Sequence, residues 1–294
     1  MKKLCLAVLL IALAAAFAAC DGNNEVSITT EPPIVNETTV NGNENDNDND
    51  IVPAITQITI GATPRPHMEI LEYIRPYLLE DGIELNLIEF TDFVVINPAV
   101  ADGTLDANYF QHTPFLDASP LADELFMLGL VHIEPMGMYS LTIDDISQLP
   151  NGGTVAIPND ATNGGRALLL MQSHGILSLD PAAGIRATPF DIIDNPLNLV
   201  IEELDAAILP RILGDPNIDA AIINTNHVLA GTDLNPMRDS LIIETPDSPY
   251  GNGLAIRRED ADNPVFHVIM EHLQSERVRE FIYRQYEGAV VPVF

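Results

Sequence analysis

Apolar and polar residues alternate from Ile55 to Ile60, and the alternation stops at Gly61-Ala62-Thr63-Pro64. A period of two predicts a half-buried strand, and the Gly-Pro cluster predicts the turn that ends it. From Met68 to Leu79 apolar residues recur at helical spacing, and Asp81-Gly82 closes that helix. Glu84 to Phe90 reads as the next strand, followed by Asp92, placed to cap a helix running to Ala101. A strand-helix-strand start predicts a parallel sheet with covered faces. Ligands of such sheets sit outside the carboxyl ends of the strands, where Thr63, Phe93 and Phe110 fall.

The plan recurs in the second half. Thr154 to Ile157 predicts a strand, Pro158-Asn159-Asp160-Ala161-Thr162-Asn163 a turn, and Gly164 to Ser173 a helix closed by Gly175. Further strands are predicted at Leu199 to Leu204, at Asp219 to Ile223 and, after Tyr250-Gly251-Asn252-Gly253, at Leu254 to Ile256. A short helix falls around Ala206 to Leu213, and two more run from Pro264 to Ser275 and from Glu276 to Tyr286. Two β-α lobes of similar plan, with a terminal piece able to return to the first, predict a cleft between lobes. No period of about 20–50 residues recurs three times, which excludes a solenoid.

The front of the chain follows a different pattern. Lys2 and Lys3 precede an unbroken apolar run, Leu4 to Ala19, which ends in small residues before Cys20. The run is too short to span a bilayer comfortably, and its order of basic start, apolar middle and small-residue end is that of an export signal. A plain secretory signal and a short membrane anchor are two readings that such a segment leaves open. If Cys5 leaves with the signal, Cys20 is the one cysteine remaining, and the folded part must stand on its core without a disulfide. With 47% hydrophobic residues in 294, the chain can bury one large core or two modest ones. Asp21 to Pro53 carries eight acids, eight Asn and no base, a solvated tether in composition. Within it, Asp46-Asn47-Asp48-Asn49-Asp50 matches the start of a calcium loop, but Ile51 takes the place of the obligatory Gly and Gln57 that of the bidentate Glu.

The formal charge is −30, and loss of Lys2 and Lys3 with the signal takes it to −32. A nucleic-acid partner is excluded on that balance, since phosphate binding needs a basic face. Catalytic patterns are also missing: there is no G-x-S-x-G elbow, phosphate loop or H-E-x-x-H, and the seven His lack ligand spacing. His67 and His112 are the pair that could meet as a metal couple. Asp106 to Phe115 sets Phe110 and Phe115 on either side of His112, with Pro114 limiting the start of a helix; taken alone this is a strand end in a core. Arg166 lies in the first turn of a predicted helix, where a cation opposes the macrodipole at a cost of ~0.3–1 kcal/mol, so its placement requires another reason.

Seven blocks in order resemble the NlpA-type methionine-binding lipoproteins, the substrate-binding components of ABC importers. They are Gly61-Ala62-Thr63-Pro64, Glu89-Phe90-Thr91-Asp92-Phe93, Asp106 to His112, Glu134-Pro135-Met136-Gly137-Met138-Tyr139-Ser140, Ala156 to Asp160, Asn163 to Leu170, and Asp247-Ser248-Pro249-Tyr250. The segment ending at Cys20 likewise resembles the box before a lipidated cysteine, with Phe17 where Leu is usual. The resemblance covers about residues 55 to 294. It implies an α/β, two-lobed periplasmic-binding-protein-like (type II) fold with a ligand cleft between lobes joined by a two-stranded hinge. The expected division is a signal peptide at 1–19, lipidated Cys20 and tether at 20–54, lobe 1 at 55–136, lobe 2 at 137–250, and a return to lobe 1 at 251–294.

The same resemblance implies which residues meet the ligand. Phe93, Phe110, His112 and Phe115 line an apolar pocket, Asn163 and Arg166 hold an α-carboxylate, and Asn226 and Asn252, with Asn224 beside them, fix the polar end. A guanidinium fork can hold a carboxylate through two parallel charge-assisted bonds, a reason for an arginine at that helix position. Thioethers pack well on aromatic edges, at ~0.3–1.5 kcal/mol per contact. The family usually has Tyr where this chain has Phe93 and Phe115, so two hydroxyls are absent. The implied protein is a monomer, lipid-anchored through Cys20 on the extracytoplasmic face, with no cofactor, no metal and no reaction. It delivers methionine to a permease with its ATPase. D-methionine, a methionyl dipeptide or another apolar amino acid are alternative ligands, a metal receptor using His67 and His112 is the runner-up, and an enzyme on the same fold is a third reading.

Overall fold

The computed structural model describes residues 55–294. The predicted signal segment, Cys20, the tether and the Asp46 to Asp50 loop lie outside the described residues. Strand β1 (Thr56–Ala62), helix α1 (Glu69–Glu80) and strand β2 (Ile83–Glu89) stand where the alternation and helical spacing put them. Helix α2 (Ile96–Ala101), strand β3 (Ala107–His112), helix α3 (Thr113–Ala118) and strand β4 (Leu125–Ile133) follow. Strands β5 (Gly137–Tyr139) and β6 (Thr154–Pro158) lead to helix α4 (Asn163–Ser173), closed by Gly175 at φ 72°, a left-handed cap that glycine adopts without penalty. A hairpin of β7 (Ser178–Leu179) and β8 (Ile192–Asp194) precedes β9 (Val200–Leu204), α5 (Leu209–Ile212) and β10 (Ala220–Ile223). Then come α6 (Thr225–Gly231), α7 (Pro236–Asp239) and β11 (Ile242–Ile243). Strand β12 (Gly251–Arg257), helices α8 (Pro264–Leu273) and α9 (Glu276–Tyr286) and strand β13 (Val291–Pro292) complete the described chain.

Two main sheets result, one in the order β13-β4-β12-β3-β1-β2 and the other β11-β5-β10-β6-β9. β1 pairs in parallel with β2 and β3, and β6 in parallel with β9 and β10. The expected parallel sheets are therefore mixed: β12 enters the first sheet antiparallel between β3 and β4, and β5 lies antiparallel to β10 and β11. Returning strands cause this, because a chain that crosses between sheets twice must come back in the opposite direction.

Side chains alternate across each strand, so each sheet feeds two cores. Tyr109 of β3 and Leu254 and Ile256 of β12 pack with Ile70, Phe266 and Ile282, while Phe110 and Ala255 turn to Ile96, Val100 and Leu105 on the opposite face. In the second sheet Val155, Ile157 and Ile222 pack on Leu168 and Met171 of α4, whereas Ala156, Ala221 and Ile223 pack on Leu209 and Val228. No described helix is long and apolar enough to cross a membrane.

Two crossovers join the sheets. Glu134-Pro135-Met136 carries the chain from β4 to β5, and Glu244 to Tyr250 carries it from β11 to β12. The expectation for Asp92 is corrected by the structure. Its Oδ1 accepts the Val94 N–H at 2.8 Å within a turn, and α2 begins only at Ile96. Pro98 then sits in the first turn, the place in a helix that tolerates a missing N–H, and this sets the later start.

Candidate functional site

The carboxyl end of β3, the start of α4, the start of α6 and the start of β12 converge on one cleft, whereas Thr63 at the end of β1 is not among its lining residues and bonds His67 instead. It encloses about 340 Å3 of atom-free space, part of it open to solvent. All nine residues expected at the ligand border it: Phe93, Phe110, His112, Phe115, Asn163, Arg166, Asn224, Asn226 and Asn252. Three more were not anticipated as site residues, Gln111, Glu134 and Thr225.

The apolar wall is built by β3 and the turn into α3. His112 is the N-cap of α3, with Pro114 in the first turn, and its Nδ1 accepts the Phe115 N–H at 3.1 Å. An acceptor Nδ1 puts the proton on Nε2, which donates to Asn163 Oδ1 at 3.2 Å. Burial, helped by the Arg166 charge, holds the His112 pKa down to about 3, so the ring is neutral. Phe93, Phe110 and Phe115 form a triangle with centroids 5.7 to 6.0 Å apart, and His227 lies against Phe93 at 4.8 Å.

The polar wall is fixed from Asp160. Its two carboxylate oxygens accept from Asn163 Nδ2, at 3.1 and 2.9 Å. Asn163 Oδ1 therefore faces the other way and accepts from His112 and from Asn224 Nδ2, the latter at 2.9 Å. With its nitrogen committed there, Asn224 is left with a buried Oδ1 that has no partner among the described residues.

Arg166 is 2% exposed and paired inside the protein. Its Nε and Nη2 donate to the two oxygens of Glu244 at 2.8 and 2.6 Å, and Nη2 also donates to the Glu134 carbonyl at 2.7 Å. The Tyr250 ring lies 4.2 Å from the guanidinium carbon. Glu244 supplies a reason for the arginine near a helix start. The Nε–Nη2 edge is taken in this state, which leaves Nη1 as the nitrogen for a ligand.

His67 and His112, the expected metal couple, are not paired with each other: His112 turns to Asn163. His67 instead joins His132 and Glu134, three buried groups whose donor atoms all lie within 4.8 Å. Glu134 Oε1 is 2.8 Å from His132 Nε2 and 3.2 Å from His67 Nε2. On the far side, His132 Nδ1 meets the Tyr109 hydroxyl at 2.5 Å and His67 Nδ1 the Thr63 hydroxyl at 2.7 Å. Burial lowers both histidines to about 3 and pushes the Glu134 carboxyl up, against the pull of His67, Arg166 and the Asn226 N–H.

A cleft at the strand ends of two α/β lobes joined by two crossovers, with an aromatic wall facing an arginine-bearing polar one, defines a two-lobed substrate-binding protein of the periplasmic-binding-protein-like fold. The chain belongs to the NlpA lipoprotein family, whose model matches residues 58–294. It is 34% identical to the methionine-binding lipoprotein MetQ of Bacillus subtilis, over 100% of this chain and 99% of that protein. The D-methionine-binding lipoprotein MetQ of Salmonella typhimurium is 35% identical over 80% of this chain and 87% of its own length. Among solved structures, a nutrient-binding protein from Burkholderia cenocepacia bound to methionine superposes with a TM-score of 0.77 at 41% identity, covering 81% of this chain and all of that one.

Proposed function

We propose that this protein is a lipid-anchored, extracytoplasmic, monomeric receptor of an ABC importer. It captures methionine between lobes 55–136 with 251–294 and lobe 137–250, and passes it to a permease with its ATPase. The observation that carries the reading is the convergence of nine residues, drawn from Phe93 to Asn252, on one cleft in a chain of the NlpA family. In this reading the Phe triangle holds the thioether, and Arg166 Nη1 and the Asn226 amide take the α-carboxylate. Closure excludes water and strengthens those bonds. Cys20 bears the lipid, and the acidic stretch to Pro53 spaces the receptor from the membrane.

Calorimetry on the 55–294 domain, stripped of carried-over ligand by unfolding and refolding, tests this. Heat of binding with L-methionine is expected; no heat with L-methionine, D-methionine or a methionyl dipeptide overturns it. D-methionine remains a second ligand to measure, because the Salmonella relative carries that name.

A further inference from the structure

The aromatic wall of the cleft has a second face. Phe93 and Phe115 border the cleft and also a larger groove beside it, which holds about 880 Å3 of atom-free space, part of it open to solvent. Val94, Pro98, Ala118 and Leu121 line this groove from the first lobe, and the turn Asp160-Ala161-Thr162 borders it from the second. The polar side chains along it are engaged inside the protein. Asn97 donates to Gln111 Oε1 at 3.0 Å and accepts from Asn108 Nδ2 at 2.9 Å, and Ser119 Oγ accepts the Leu121 N–H at 3.1 Å. Thr162 Oγ1 donates to Asp160 Oδ1 at 3.0 Å, and Asp160 Oδ2 accepts from Asn163 at 2.9 Å. A polar group entering the groove gives up water without a prepared partner, whereas an apolar chain gains up to about fourfold in affinity per methylene buried.

Resting on the methionine-receptor reading, we infer that this groove continues the side-chain pocket, so that the protein takes α-amino acids with unbranched apolar side chains longer than that of methionine, S-alkyl homocysteines among them. The partition between cleft and groove is the pair Phe93 and Phe115, whose centroids are 6.0 Å apart at 74°. Both rings are partly buried against the α2 core. Neither carries a polar side-chain atom, so a ring that turns aside breaks no hydrogen bond of its own. In the methionine reading these rings hold the thioether, and carbon added beyond the sulfur is directed at the partition and past it. A negatively charged tail is disfavoured, because Asp160 borders the groove and no cationic residue is among those lining it.

The test is a cycle between ligand length and groove volume. Affinities of L-methionine and of S-ethyl-, S-propyl- and S-butyl-L-homocysteine are measured by calorimetry on the full chain, freed of carried-over ligand by unfolding and refolding. The S-butyl compound is expected to bind at least as tightly as methionine; weaker binding overturns the inference and leaves the receptor reading standing. Ala118→Trp fills the groove at a residue that does not border the cleft. It is expected to weaken the S-butyl compound about tenfold or more while methionine stays within about twofold. An equal effect on both ligands, or no effect on either, overturns the inference and leaves the groove as a surface for some other partner. If Ala118→Trp does not fold, Ala118→Leu is read in the same way. Should the wild type give no heat with methionine itself, the receptor reading fails.

Discussion

The two walls of the cleft are made differently. The lobe 1 wall is β3 and the turn into α3, where aromatic rings pack against one another and the histidine is spent on a helix cap. The lobe 2 wall is the start of α4 and α6, where an amide chain from Asp160 through Asn163 to Asn224 and an Arg166–Glu244 pair are committed to internal bonds. One wall offers shape and the other offers aimed charge. On the methionine-receptor reading, contact with the side chain falls mainly to the first wall and contact with the carboxylate to the second.

The largest effect that would separate the walls is acid. His67, His112 and His132 of lobe 1 are held near 3 by burial and His227 of lobe 2 near 4. Their folded pKa values lie below the ordinary 6.5, so below that pH the unfolded chain binds more protons and stability falls as pH falls from about 6.5 toward 3. Each histidine contributes up to about 1.4 kcal/mol per pH unit, and Glu134, shifted up, offsets part of it. Unfolding free energy from urea titrations between pH 7 and 4.5 should therefore drop by several kcal/mol. Hydrogen exchange should show lobe 1 opening first; equal protection of the two lobes would break the contrast.

Next in size is the charged wall. Arg166→Ala should weaken methionine binding by about 2–5 kcal/mol and also lower the melting temperature, because Glu244 is left nearly buried and unpaired. Phe110→Ala on the opposite wall should cost about 3–5 kcal/mol of stability, its ring being in the α2 core as well as the cleft, while Phe110→Leu should keep the fold and lose methionine affinity by about 1 kcal/mol. Phe115→Tyr should change affinity least, within about 1 kcal/mol, with its sign reporting whether the added hydroxyl finds a partner. Calorimetry with both enantiomers of methionine reads all three. A Phe110→Leu loss equal to that of Arg166→Ala would show that the walls do not divide the work.

Much of this was legible along the chain because the signals are local. α4 starts after a Pro-Asn-Asp turn and stops at Gly175, and β1, β6, β9 and β10 declare themselves by short apolar runs between turn residues. The cleft residues were legible through family blocks that keep their order. The contacts of Glu134, which opens one of those blocks, and of Glu244 were not, since their partners His67 and Arg166 are 67 and 78 residues away and a lone acid beside proline or threonine has no spacing to read. β5 and β11, three and two residues long, are likewise defined by what they pair with and not by any period of their own.

The first crossover is also fixed along its backbone. The Glu134 carbonyl is held by Arg166, the Pro135 carbonyl by the Thr225 hydroxyl at 2.5 Å, and the Met136 N–H by Glu244 at 2.9 Å. Three consecutive backbone groups are thus held by residues of α4, α6 and the stretch after β11. On its other side the Glu134 carboxylate is bonded to His132 of β4, so this one residue is tied to both sheets' surroundings.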